Sequence, residues 1–390
     1  MCKSPLHPFL VALPKCEHHM HLEGSLSPEL LFALAKKNNI SLPSPFPTVS
    51  RSGPGTAEEQ DEIDPAFASP ATLRARYAAF TSLDDFLHYY YIGMRVLLTA
   101  DDFEELAYAY LARASLEGNV RHAEVFFDPQ AHVSRGVTVA VIVEGWERAV
   151  ERVEGEFGGG KGRKITALLV PCLLRHLEVE DSRGLFAGLL AEGYFHGEDG
   201  GEEGPKLAGV GLCSTEMDRP PGLWKEIFEM AREAGVRRTA HAGEEGPAGY
   251  VSAALDELWV ERIDHGVRAA EDGELMGRLA REGVMLTVCP VSNVRLKGVE
   301  RLEDVPIREF LDKGVRFSLN SDDPAYFGAY LQEVYCAVEE AFGLSVGEWA
   351  MIARNAVEGS WCGEERKREI LGEVEEVVEG WERQEEEVLN

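Results

Sequence analysis

"CEHHMHLEGS" (residues 16–25) sets three histidines within four positions and ends in a Glu-Gly-Ser turn. On an extended strand, side chains at i and i+2 share a face, so His19 and His21 point together while His18 and Met20 point to the other side. Two imidazoles on one strand make half of a metal site. The turn at 23–25 places the pair at the carboxyl end of that strand, where barrel enzymes keep their chemistry. Taken alone, the pair is equally a set of satisfied histidines, and three further stretches decide between the readings.

"RRTAHAGEEG" (237–246) repeats the arrangement, with His241 ending a strand and Glu244 in the Gly-containing turn beyond it. "ERIDHGV" (261–267) places His265 at the end of a short strand before Gly266, and "GVRFSLNSDDPAYFG" (314–328) ends a strand on Asp322 and Asp323. Two adjacent carboxylates repel one another unless a cation or a polar ligand balances them. Four strand ends thus offer His19, His21, His241, Glu244, His265, Asp322 and Asp323, the ligand and acid/base set of a hydrolytic metal site.

Candidate strands fall at 16–22, 120–127, 165–174, 207–213, 236–242, 262–265, 284–288 and 315–320, separated by helical patterns. Eight β/α alternations are the number a (β/α)8 TIM-type barrel needs, and the chain 1–390 reads as one such domain. The long gap after the first strand requires inserted helices, of which "SLSPELLFALAKKN" (25–38) supplies one, capped by Ser27 with Pro28 in its first turn. Residues 43–71 carry six prolines and few large apolar residues, which predicts a flexible surface insertion. The stretches 155–163 and 196–206 are rich in glycine and read as loops. In the final segment, 363–390, Ile370, Val374, Val377, Val378 and Trp381 fall on one side of an otherwise acidic helix, docked on the barrel or offered to a partner.

Lys and Arg number 39 against 68 Asp and Glu, a formal net charge of -29. Such a field repels phosphate backbones and anionic lipid, arguing against nucleic-acid and membrane-surface partners. The seven cysteines are scattered without a C-x-x-C pair, which fits a reducing compartment. No run approaches a membrane span and no signal peptide is evident, so the chain reads as intracellular.

In order and spelling, "LPKCEHHMHLEGSLSPELL", "VRHAEVFFDPQAH", "AHAGEE", "RIDHG", "LTVCPVSNVRL" and "SLNSDDPAYFGAY" resemble the adenosine/adenine deaminase family of the amidohydrolase superfamily, across about residues 13 to 335. The resemblance implies one Zn2+ per chain, held by His19, His21, His241 and Asp322. It further implies that His265 takes a proton from water, Glu244 protonates the purine N1, Asp323 bonds N7, and Gly24 backs the ring. Glu23 after "HHMHL", and "SDDPAYFGAY", look like the adenine-specific branch of fungi and bacteria. There the expected substrate is a small purine, adenine becoming hypoxanthine and ammonia, with purine salvage in the cytoplasm and also the nucleus. A longer acid at Glu23 with Tyr326 and Phe327 nearby would fill the space of a ribose. Adenosine or an N6-substituted adenine nucleotide stays open as substrate, as does a silent barrel used as a scaffold, and the oligomeric state is left undetermined.

Two positions depart from the family pattern. His18 stands where an apolar residue is usual, and Cys213 in "GLCSTE" (211–216) stands where aspartate is common. Strand alternation turns His18 away from the metal, while Cys213 alters a neighbour of the site. A bridging lysine of the two-metal amidohydrolases is absent near Leu174 and Cys213, and His88, His122, His132, His176 and His196 lack companion ligands.

Overall fold

The strand and helix alternation is realised in a computed structural model that describes residues 2–44, 64–158, 164–196 and 204–389. Strands β1 (Lys15–His21), β2 (Val120–Phe127), β3 (Thr166–Leu174), β4 (Gly209–Cys213), β5 (Arg237–Ala242), β6 (Arg262–His265), β7 (Met285–Val288) and β8 (Arg316–Leu319) lie side by side in sequence order, all parallel. The ring closes where Met20 bridges Asp322: the His21 amide donates to the Asp322 carbonyl and the Asp322 amide to the His19 carbonyl, both at 3.0 Å. This is the (β/α)8 barrel expected from the sequence. Each expected strand is present, with no end moved by more than two residues.

On β2 the alternation is regular. Ala123, Val125 and Phe127 join the core beneath the outer helices, while Phe126 packs against Val170, Cys172, Leu174 and Cys213 of the neighbouring strands. On β1 it fails, because Glu17 pairs with Ala123 but Met20 with Val125, so three residues span what two do on β2. This bulge lets both His18 and His19 face inward at successive levels. The reading that turned His18 to the outer face is therefore corrected. Its Nδ1 lies 3.0 Å from Ser318 Oγ and its Nε2 2.8 Å from Ser360 Oγ. Burial pushes the His18 imidazole down to about 3, so it is neutral and bonded on both sides.

Below that level the barrel is filled by a charged plug. Glu124 accepts from Arg262 Nη1 and from the Trp361 amide, both at 2.5 Å, and the Arg262 guanidinium lies 4.2 Å from the Trp361 ring centre. Although burial opposes ionisation, Arg262 holds Glu124 well below the usual carboxylate range. Breaking a buried pair by removing one partner leaves an uncompensated charge. Arg262→Met is therefore expected to cost about 3–5 kcal/mol of stability in urea unfolding; a loss below about 1 kcal/mol would refute the plug as a charge-balanced unit.

Between β1 and β2 the expected insertion contains the helices Pro28–Lys37, Pro70–Tyr77, Leu83–Gly93 and Ala100–Leu116. Ser27 caps the first through the Leu30 amide at 3.2 Å. Of the span 43–71, residues 45–63 lie outside the described residues, but its last part is structured. Pro65–Ala68 forms a helical turn with Phe67 buried and stacked on Tyr89, and Pro70 opens the next helix. Proline in a first helical turn costs nothing, so those prolines mark helix starts. Of the expected loops, residues 155–157 belong to the helix Val139–Phe157, while 159–163 and 197–203 lie outside the described residues. The last helix, Glu364–Leu389, is docked: Ile370, Val374 and Val378 are buried, and Trp381 packs 5.5 Å from Phe9. Among the described residues no helix is long and apolar enough to cross a membrane.

Candidate active site

The carboxyl ends of β1, β5, β6 and β8 bring seven expected side chains together. His19, His21, His241 and Asp322 each present one donor atom, all within 4.8 Å of one another. His19 Nε2 lies 3.2 Å and His21 Nε2 3.5 Å from Asp322 Oδ1, and the Nε2 atoms of His21 and His241 face each other at 3.3 Å. All four residues are buried. Asp322 has a φ of +63°, a left-handed conformation rare for a residue with a side chain, at the point where the strand stops and the ring closes.

Groups behind the imidazoles set their tautomers. Thr287 Oγ1 donates to Asp264 Oδ1 at 3.0 Å, so its remaining capacity toward His19 Nδ1 at 2.9 Å is that of an acceptor. The His19 proton therefore sits on Nδ1 and the Nε2 lone pair points into the cluster. Asp264 Oδ2 lies 3.5 Å from His241 Nδ1 without a hydrogen bond between them, and its charge favours a proton on that nitrogen. His19 Nε2 is buried without a hydrogen-bond partner, and two imidazole nitrogens at 3.3 Å need a proton or a cation between them. The donor set thus fits a divalent metal of the zinc kind. A second combination, His19, His265, Cys289 and Asp322, also converges. Burial pushes the Cys289 thiol well up and it donates to the Thr287 carbonyl at 3.6 Å, so it stays protonated and is the poorer ligand.

Glu244 and His265 stand beside this cluster, His265 Nε2 lying 3.4 Å from Glu244 Oε2 and 3.8 Å from Asp322 Oδ2. Burial first, then the neighbouring Asp322, Glu245 and Glu216 carboxylates, raise the Glu244 carboxyl well above its ordinary range. Burial holds the His265 imidazole well below its own. Burial thus favours the acid form of one and the neutral form of the other. The Glu244 loop is pinned from β4: Glu216 accepts from the amides of Gly243, Glu244 and Gly246 at 3.0, 2.9 and 3.2 Å. Asp323 follows on β8 with Oδ1 buried and unpartnered, and burial beside Asp322 raises its carboxyl well above the usual range. Gly24 passes so close that a Cβ there would stand 2.8 Å from the Cα and Cγ of Asp323.

A cavity opens over the cluster, lined by His21, His241, Glu244, His265, Asp322 and Asp323 on its polar side. Its apolar side is Leu83, Phe86, Leu87, Tyr90 and Tyr91 from the inserted helix Leu83–Gly93, with Leu296. Tyr326 and Phe327, expected to fill sugar space, do not line it. They lie behind the inserted helix, Tyr326 stacked on Tyr77 at 4.5 Å and Phe327 5.1 Å from Phe86. Glu23 is likewise set back from the wall, its Oε1 accepting from the Asp128 amide at 3.1 Å and lying 2.7 Å from His132 Nε2. Asp128 lines the cavity in its place, next to Cys213 and Ser214. Sequence reasoning missed Asp128, Asp264, Glu216 and the tyrosines, although "FFDPQ" and "RIDHG" did place acids at strand ends.

An eight-stranded parallel barrel whose carboxyl ends gather imidazoles and carboxylates around one cavity defines the class of barrel hydrolases. A family model described as adenosine deaminase matches residues 14–377, and the chain belongs to that family. It is 52% identical to an adenine deaminase of Gibberella zeae, over 97% of this chain and 98% of that one. The crystal structure of an adenine deaminase from Arthrobacter aurescens superposes with a TM-score of 0.81 at 41% identity, covering 94% of this chain and 99% of the other. An amidohydrolase from B. ambifaria with bound Zn is 25% identical with a TM-score of 0.74, covering 97% of each chain.

Proposed function

We propose that the chain hydrolyses adenine to hypoxanthine and ammonia. The observation that carries this reading is Glu244, a buried carboxyl 3.4 Å from His265 Nε2 on the wall of a cavity that also holds the ligand cluster, where burial favours its acid form. The adenine deaminase relatives at 52% and 41% identity support adenine as the substrate.

Zinc held by His19, His21, His241 and Asp322 would supply a Lewis acid, which lowers the pKa of water toward about 7. The remaining chemistry belongs to side chains. His265 accepts a proton from the water that attacks C6, and the Asn293 amide nitrogen stands 3.4 Å from its Nδ1 on the far side of the ring. Glu244 donates its proton to N1, which draws electrons out of the ring as C6 becomes tetrahedral. Asp323, in its raised form, donates to N7 and fixes the ring against Gly24. The C6–N6 bond breaks, and the amine leaves as ammonia with the proton held on His265. The second water proton restores Glu244. Water thus ends as the C6 oxygen, with one proton on ammonia and one in effect on N1.

Gly24→Ala is expected to push Asp323 away from N7. A displacement of about 1 Å can cost on the order of 100-fold in kcat/KM. The loss should appear in steady-state assays of folded protein, and an unchanged rate would detach Asp323 from the ring. The assignment of substrate is tested by ultraviolet spectra of zinc-loaded protein with adenine, adenosine and N6-methyl-AMP in parallel. Hypoxanthine from adenine alone is the expected result; turnover of a nucleoside or nucleotide instead would overturn the free-base reading. We place the reaction in purine salvage, in the cytoplasm and nucleus.

A further inference from the structure

We propose that Asp128 is the residue that selects the free base, by bonding the N3/N9–H edge of adenine. The inference rests on the adenine reading above and deepens it. The cavity wall runs, in barrel order, from Asp323 after β8 and His21 on β1, through Asp128 after β2, to Cys213 and Ser214 at β4 and Glu244 after β5. The purine perimeter runs N7, C8, N9, C4, N3, C2, N1, with C6 between N1 and N7. With Asp323 on N7 and Glu244 on N1, as proposed, the two orders match in one sense only. The N9–H corner then falls toward β2, where Asp128 stands, and N3 follows on the side of β4.

Asp128 is built as a fixed group, with 2% of its surface exposed. Its amide is held by Glu23 at 3.1 Å, and Pro129 opens a short helix directly after it. Among the described residues the Cys213 thiol is the one side chain bonded to its carboxyl, Sγ donating to Oδ1 at 3.6 Å, a long and weak bond. Burial and the nearby Glu23 carboxylate raise the Asp128 carboxyl well above its ordinary range. A neutral carboxyl carries one hydroxyl and one carbonyl oxygen. Those match the N3 acceptor and the N9–H donor of the free base as a pair. A sugar on N9 removes the donor and collides with the carboxyl, and a site built to bond an N–H discriminates strongly against analogues that lack it. Glu23 then acts through Asp128, as a positioning residue.

The test compares adenine with 9-methyladenine, whose N9 cannot donate, on zinc-loaded wild type, Asp128→Ala and Asp128→Asn. Wild type is expected to favour adenine by at least about 100-fold in kcat/KM. Asp128→Ala should lose about 100-fold on adenine, mostly in KM, and gain on 9-methyladenine. Asp128→Asn, whose amide still offers one acceptor and one donor, should keep most of the adenine activity. Equal loss on both bases in Asp128→Ala, or Asp128→Asn as damaged as Asp128→Ala, would overturn the assignment. The wild-type preference needs no variant, so its absence in an enzyme that turns over adenine overturns it even where Asp128→Ala does not fold. A wild type that leaves adenine untouched removes the substrate reading instead.

Discussion

Glu244→Gln is expected to lower kcat for adenine by roughly 10³-fold, within the range of 10²–10⁴ that a positioned proton donor supplies. The glutamine keeps the volume and the pinned loop, since Glu216 bonds the backbone amides of Gly243, Glu244 and Gly246 rather than the side chain. Metal content and unfolding midpoint should therefore stay at wild-type values, so the loss is chemical. The pH profile gives a second signature. Glu244 works as an acid, and its raised pKa means that kcat/KM falls as pH rises through that value, where the proton to be donated is lost. In the glutamine variant this descending limb should vanish. On the acid side the rate should fall only below the ordinary imidazole range, because His265 must be neutral and burial keeps it so to lower pH. A variant that keeps a tenth of the wild-type rate, or an unchanged alkaline limb, would take the proton-donor role away from Glu244.

Asp322→Ala is expected to abolish activity through the cluster itself. The substitution leaves three imidazoles and removes the anion that lies 3.2 and 3.5 Å from two of them. Metal analysis after dialysis should show the bound ion lost, whereas wild type stripped with a chelator should regain activity on adding zinc. A ligand that binds only the folded state stabilises it by about 4 kcal/mol at a thousandfold excess over Kd. Chelation should therefore lower the wild-type unfolding midpoint and leave that of Asp322→Ala where it was. The same substitution removes a carboxylate that raises Glu244, so the Glu244 carboxyl should titrate at lower pH in the variant. Full zinc occupancy in Asp322→Ala would contradict its place among the ligands.

The strand ends were legible because their signals are local. A strand that stops on His19 and His21, His241, His265 or Asp322 and enters a Gly-containing or acidic turn needs no knowledge of what lies across the ring. His18 was misjudged because the extra residue between Glu17 and Met20 is visible only against β2. Asp264 and Thr287 could not be read as a pair that orients His19 and His241, since they meet only when β6 and β7 lie side by side. Glu216 reads as an ordinary acid after β4 until the loop that carries Glu244 folds over it. The aromatic run in the helix Leu83–Gly93 has the pattern of any core helix; that one of its faces lines a cavity depends on how the insertion drapes over the barrel mouth. Glu23 and Tyr326 were given a substrate's neighbourhood from sequence proximity, while the chain places Asp128 and the inserted helix there.

That inserted helix separates two kinds of evolutionary change. The groups proposed to perform the reaction are dispersed over four strand ends, so no single segment carries them. Five residues of the apolar cavity wall come from one contiguous stretch between Leu83 and Tyr91, tethered to the barrel by aromatic packing on Tyr326 and Phe327. A lineage or an engineer could exchange that cassette and reshape what the cavity admits while the reaction machinery is inherited whole.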